Sequence, residues 1–167
     1  MAPIALHGLR GGLYYVHTEQ LEMRIDLSNT QLMDSVKYTT ALLANKRLLI
    51  CNGSRLTLTA AIMTPAIQQS LVGGTTTEDE ALDIQLETNP DLLITSEYLE
   101  GGYGIRLIEK AKQRCPEMKA LIFLSRETRD GVTEAMDAGA DAVMFMSSIG
   151  TGDGDFINAL RRTNEEI

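Results

Sequence analysis

Thr75, Thr76, Ser96, Ser125, Ser147 and Ser148 each close or follow a short apolar run, in the stretches LVGGTT, DLLITS, ALIFLS and DAVMFMSS. A hydroxyl in such a place could attack an electrophile or donate to a bound anion. Attack requires a general base or a metal beside the oxygen. The two histidines, His7 and His17, stand far from these runs in a stretch with no patterned Asp or Glu around them. Enzyme chemistry is therefore not expected of this rim, and ligand binding without turnover is the reading that remains. Cys51 ends another apolar run, RLLIC. A redox thiol and a buried structural thiol both fit there, and the second is the commoner fate of such a residue. Cys51 and Cys115 have no metal-ligand spacing, and two cysteines make no disulfide framework, so a reducing compartment is expected and no metal or cofactor is implied.

Two glycine clusters also invite a chemical reading. Gly150-Thr151-Gly152-Asp153-Gly154 follows an apolar run and precedes a helical pattern, a placement that could cradle a phosphate. Asp153 and Asp155 would repel an anion there, which favours a loop with Asp155 as helix cap. Gly101-Gly102-Tyr103-Gly104 reads as a loop rather than a nucleotide site.

The elements that must position these residues follow from the pattern. Arg47–Cys51, Leu71–Thr75, Asp91–Thr95, Ala120–Leu124 and Asp141–Met146 read as short strands. Between them lie helical stretches: Leu56 to Gln69 with Pro65 expected to kink it, Thr77 to Glu87, Ile105 to Arg114, Arg129 to Ala138 with Gly139 as its stop, and Phe156 to Arg162. Thr77 and Glu80 have the spacing of a capping box. Strands that are apolar throughout require a parallel sheet covered on both faces. The fold class is α/β: a flavodoxin-like, doubly wound five-stranded parallel sheet, whose ligands gather beyond the carboxyl ends of the strands. Those ends are Cys51–Asn52, Thr75–Thr76, Ser96–Glu97, Ser125–Arg126 and Met146–Ser147.

Ahead of this unit, residues 1–26 show no clean period and receive no element. A helix is predicted over Thr30–Ala44, with Ser28 and Gln31 as a capping box and Leu32, Val36, Thr39 and Leu43 on one stripe. The division is an N-terminal extension over 1–45, with its amphipathic helix at about 30–44, and one domain over 46–165.

Composition narrows the function. The net charge of −8 argues against a generic nucleic-acid or anionic-membrane surface. No Lys or Arg lies between Arg55 and Arg106, whereas Glu78, Asp79, Glu80, Asp83, Glu87, Asp91, Glu97 and Glu100 do. One side of the domain is expected to be acidic, either as a solvated face or as a docking face for a basic partner. The first residues lack a signal-peptide pattern and no apolar run approaches the roughly 18 residues of a membrane span, so a cytoplasmic protein is expected.

Residues 46–165 resemble the receiver domain of bacterial two-component response regulators, the CheY-like family. The resemblance is carried by PDLLITSEYLEGGYGIRLIEKAK (Pro90–Lys112), KALIFLS (Lys119–Ser125) and EAMDAGADAVMFM (Glu134–Met146), and by Gly104 eight residues after Ser96. It implies that an acidic pair should follow the first strand to hold Mg²⁺, an Asp should end the third to accept a phosphoryl group, and a Lys should end the fifth. The matching residues here are Cys51-Asn52-Gly53, Ser96 and Met146, with Ser147 following. Only the hydroxyl after the fourth strand persists, as Ser125. Phosphoryl transfer rests on positioning and charge neutralisation, so a pocket without the metal ligands and the Lys is not expected to self-phosphorylate. No Asp at another strand end offers a rescue by realignment; Asp141 begins its strand.

Glu97 could stand in for a phosphorylated side chain. Strand alternation puts it on the face opposite Ser96, which favours an exposed loop acid. The resemblance implies signalling or transcriptional regulation through protein contacts, with an interaction face presenting Arg129, Glu134, Asp137, Met144, Arg161 and Arg162. A homodimer is expected. DNA binding would come only through a partner or through an output domain outside this sequence. The alternative is a small-ligand sensor built on the hydroxyl rim.

Overall fold

The computed structural model of the chain describes residues 5–10, 13–17, 40–148 and 159–163. Most of the Thr30–Ala44 helix, its Ser28/Gln31 cap, the Gly150–Gly154 loop and the Asp155 cap lie outside the described residues.

Within residues 1–26, the described stretches 5–10 and 13–17 form two strands where no element was expected. Strands β1 (Ala5–Arg10) and β2 (Leu13–His17) pair antiparallel, with Leu6 opposite Val16 and Arg10 opposite Leu13. The sequence signal is the Gly11-Gly12 pair between two runs, a hairpin signature in its own right. Residues 40–43 are helical, and Asn45 then adopts a left-handed φ of 62°. Leu43 reaches the main core at 1% exposure.

The main sheet has five parallel strands: β3 (Leu48–Cys51), β4 (Leu71–Thr75), β5 (Leu92–Ser96), β6 (Lys119–Leu124) and β7 (Ala142–Phe145). Their spatial order is β4-β3-β5-β6-β7. The register sets Leu49 beside Leu93 and Leu93 beside Ala120. Every residue of β3 and of β5 is buried, which explains their unbroken apolar character.

Alternation divides these side chains between two cores. Leu48, Ile50, Ile94, Leu121 and Phe123 pack with α1 (Arg55–Ile62), α2 (Pro65–Gln68) and the closing helical turn at 159–163. Leu49, Cys51, Leu93, Ile122 and Leu124 pack under α3 (Glu78–Thr88), α4 (Gly104–Arg114) and α5 (Arg129–Asp137). The expected kinked helix over Leu56–Gln69 is two helices. Pro65 has no N–H to continue the first, and it serves instead at the start of the second. The Thr77 hydroxyl caps α3 by accepting from the Glu80 amide. Glu80 does not complete a capping box; its carboxylate takes the Thr75 hydroxyl instead. Gly139, with φ of 108°, follows α5 as expected.

Candidate functional site

The order of the strands reverses between β3 and β5, so their carboxyl ends flank the crevice where open α/β sheets bind ligands. Here internal hydrogen bonds cross the crevice. Asn52 Oδ1 accepts from the Ser54 amide at 2.8 Å, which fixes the approach to α1. The Gly53 amide donates to Ser96 Oγ at 3.0 Å, and Ser96 Oγ donates to the Tyr98 carbonyl at 2.9 Å. Ser96 is 7% exposed. Its hydroxyl ties the β3–α1 loop to the β5–α4 loop.

Glu97 is a correction to the sequence reading. It is not an exposed loop acid but is 2% exposed. Strand β5 ends at Ser96, so strand alternation no longer governs the next side chain. The Glu97 carboxylate crosses to the tip of β6, where it accepts from the Ser125 amide at 2.8 Å and the Arg126 amide at 3.0 Å. Arg126 also donates to it through Nε. The second arm of Arg126 reaches Glu134 on α5 at 2.9 Å. Pairing with Glu134 and with Glu97 pushes the Arg126 guanidinium pKa up, and the same contact holds the Glu134 carboxyl below its usual range.

A second buried carboxylate, Glu78, stands at the start of α3. Arg106 and Lys110 on α4 each reach it at 2.8 Å, and the Tyr103 amide donates to it at 3.2 Å. Burial raises its pKa, but Lys110, Arg106 and the Tyr103 amide together outweigh burial and hold it below the usual range. Glu100 pairs with Arg55 at 2.8 Å and accepts from Thr76 at 2.7 Å. The expected acidic face is accordingly smaller than the sequence suggests. Glu78, Glu97 and Glu100 are each matched by a cation, while Asp79, Glu80, Asp83 and Glu87 remain exposed along α3.

Cys51 lies fully buried under this network, with Sγ 3.5 Å from the Thr77 carbonyl oxygen. Burial pushes its thiol up to about 12, with Glu78 and Glu80 adding to the effect. Burial and a raised pKa both suit a structural thiol.

Beside the crevice a cavity of about 410 Å³ opens between the β5–α4 loop, α4 and α5. Tyr98 and Tyr103 form one wall, their rings edge to face at 6.2 Å, and Arg106 lies over the Tyr103 ring at 5.5 Å. Glu97, Arg126 and Glu134 form the other. Among the described residues no group of three His, Cys, Asp or Glu could hold a metal ion, and no helix is long and apolar enough to cross a membrane.

No family model matches the chain, and no curated protein matches it. Solved structures do. A LuxR-family DNA-binding response regulator from Staphylococcus aureus superposes with a TM-score of 0.61 at 15% identity, over 72% of this chain and 99% of that one. A CheY-like response regulator receiver domain protein from Methanospirillum hungatei JF-1 gives 0.59 at 22% identity, over 71% and 96%. The isolated receiver domain of RcsB from Salmonella enterica serovar Typhimurium, in the presence of phosphomimetic beryllofluoride, gives 0.57 at 16% identity, over 71% and 89%. The chain has the CheY-like receiver fold.

Within that receiver fold the sequence-derived pocket residues do not form one open site. Cys51, Ser96 and Glu97 are buried, Asn52 is half-buried and Ser125 is exposed. Met146 is half-buried against the core that includes Met144, Ala159 and Leu160. Met144 does not belong to the outer face: it is 6% exposed, on the side of β7 covered by Ala159 and Leu160. Arg129, Glu134, Asp137, Arg161 and Arg162 are exposed. Of the hydroxyl rim, Thr75, Thr76 and Ser96 are already engaged by Glu80, Glu100 and the Gly53 and Tyr98 backbone. Sequence reasoning missed Arg126, Arg106 and Glu78. The one available signal was the long cation-free stretch, whose buried acids must find their counter-charges outside it.

Proposed function

We propose that this chain is an atypical receiver-like module of signal transduction and transcriptional regulation that works by phosphorylation-independent contact with protein partners. The observation that carries this reading is the Glu97 carboxylate. It occupies both backbone donors at the tip of β6, Ser125 and Arg126, and leaves neither for an incoming anion. The neighbouring Ser96 hydroxyl is engaged on both sides, hydrogen-bonds to no base among the described residues, and stands at the strand end where the resemblance calls for an Asp. Residues 51–53, Cys-Asn-Gly, offer no carboxylate for Mg²⁺, an ion that wants hard oxygen ligands.

The contacts would use the exposed Arg129, Glu134, Asp137, Arg161 and Arg162, with pairing of two copies as the simplest outcome. Residues 46–165 form the receiver-like unit on this reading, residues 1–45 extend it, and the compartment is the cytoplasm. The S. aureus neighbour is a DNA-binding response regulator; for this chain, DNA would be reached through a partner or an output domain.

The test is a titration of the labelled protein with Mg²⁺ and beryllofluoride, followed by amide NMR. A flat response from a folded protein is expected. Saturable shifts around Cys51, Ser96 and Ser125 would show a working phosphate pocket and overturn the proposal.

A further inference from the structure

Three side chains link the end of β5 to the outside of α5. The link has two halves in different surroundings. Its inner half is the Glu97 carboxylate, 3% exposed and held by two amides and a guanidinium. Its outer half is the Arg126–Glu134 pair, whose side chains are 39% and 53% exposed. Breaking a buried pair strands a desolvated charge, whereas water readily replaces either partner of an exposed one.

Helix α5 buries less apolar side-chain surface than α4 does. Its buried residues are Gly131 and Ala135, which bring little apolar surface. Helix α4 buries Leu107, Ile108 and Ala111 instead. Apart from partly buried Val132 and Ala138, α5 is secured at its start by the Thr128 cap on the Gly131 amide and along its length by Glu134.

We infer that Glu97, Arg126 and Glu134 form a latch with a permanent inner half and a releasable outer half, and that the outer half sets how firmly α5 is held on the domain. Glu134 lies on the same helix as the exposed Arg129 and Asp137. A partner that pairs with Glu134 or Arg126 exchanges an internal bond for an intermolecular one and loosens α5, while Glu97 keeps the tip of β6 in place. This use of the latch rests on the interaction-module reading given above. The mechanical claim can be tested without a partner.

Hydrogen exchange on the full chain supplies that test, comparing the wild type with Arg126→Gln and Glu134→Gln. Glu100→Gln, which breaks an exposed pair elsewhere, is the control. The amides of Val132, Glu134 and Ala135 are expected to exchange about fivefold faster in Arg126→Gln and about two- to threefold faster in Glu134→Gln, with α4 and the Glu100→Gln control unchanged. Unchanged α5 exchange in Glu134→Gln, which leaves the Glu97–Arg126 half intact, would overturn the latch, as would equal acceleration of α4 and α5 in either variant, which reports global destabilisation. Glu134→Gln alters only a solvated side chain, so the comparison survives if Arg126→Gln folds poorly. The beryllofluoride response is read at other residues, so either idea can fail while the other stands.

Discussion

A Cβ added to Gly104 would lie 2.0 Å from the carbonyl oxygen of Ser96, the residue eight positions earlier. The first turn of α4 therefore presses backbone to backbone against the end of β5, and the Gly104 amide donates to the Glu97 carbonyl at 2.7 Å. This contact gives the spacing between Ser96 and Gly104 a physical reason independent of phosphorylation. Gly104→Ala must push α4 away from β5 and should cost about 1–3 kcal/mol. Gly101→Ala in the same loop meets only Thr77, no closer than 3.5 Å, and should stay within about 0.5 kcal/mol of wild type. Urea denaturation of both variants decides the matter; equal midpoints would mean that the close approach relaxes freely.

Glu97→Ala removes the acceptor from two part-buried amides, those of Ser125 and Arg126. At about 1–3 kcal/mol for each amide left without a partner, the variant should lose about 2–6 kcal/mol. Glu97→Gln keeps one carbonyl acceptor and should lose less. Chemical denaturation with unchanged slope is the measurement. A Glu97→Ala protein as stable as wild type would show that water takes over both amides.

The strands were legible and the site largely was not, for reasons that lie in particular residues. LLIC, LLITS and ALIFL are buried throughout, so each reads as an apolar run whatever surrounds it. The pairing of β1 with β2 hides because Arg10, His7 and His17 interrupt the apolar runs, although the sequence has a Gly-Gly pair between them. Glu97 was misplaced by extending strand alternation one residue past the end of β5. Arg126 looked like any loop arginine, since its partners lie 29 and 8 residues away in the chain and only the fold brings them together. Met144 was assigned to the interaction face that the resemblance implies, but that side of β7 is covered by the helical turn at 159–163.

Glu78 sets a pH dependence of stability. Its folded pKa lies below the ordinary carboxylate value, so it stabilises the fold above the unfolded pKa of about 4.3, and that contribution is lost as pH falls through the folded value. Glu100 and Glu134, also lowered, act with the same sign, but their pairs are exposed and salt screens them first. Denaturation midpoints between about pH 3 and pH 7 should fall on the acid side. Glu78→Gln should flatten that fall, and the difference should persist at high salt. If Glu78→Gln and wild type lose stability in parallel, Glu78 does not carry the effect.

The two cysteines should separate by reactivity. With its thiol pushed up to about 12, Cys51 is almost wholly protonated at neutral pH, and its side chain is fully buried. Burial also raises the Cys115 thiol, but that residue is only half-buried at the end of α4. A thiol reagent added to the native protein should therefore label Cys115 first and reach Cys51 only as fast as the domain unfolds. The Cys51 labelling rate should then rise with denaturant in step with the unfolding rate. Prompt labelling of both residues in the native state would mean that Cys51 is reached through a local opening of the α3 side, and would return the redox reading of that thiol to consideration.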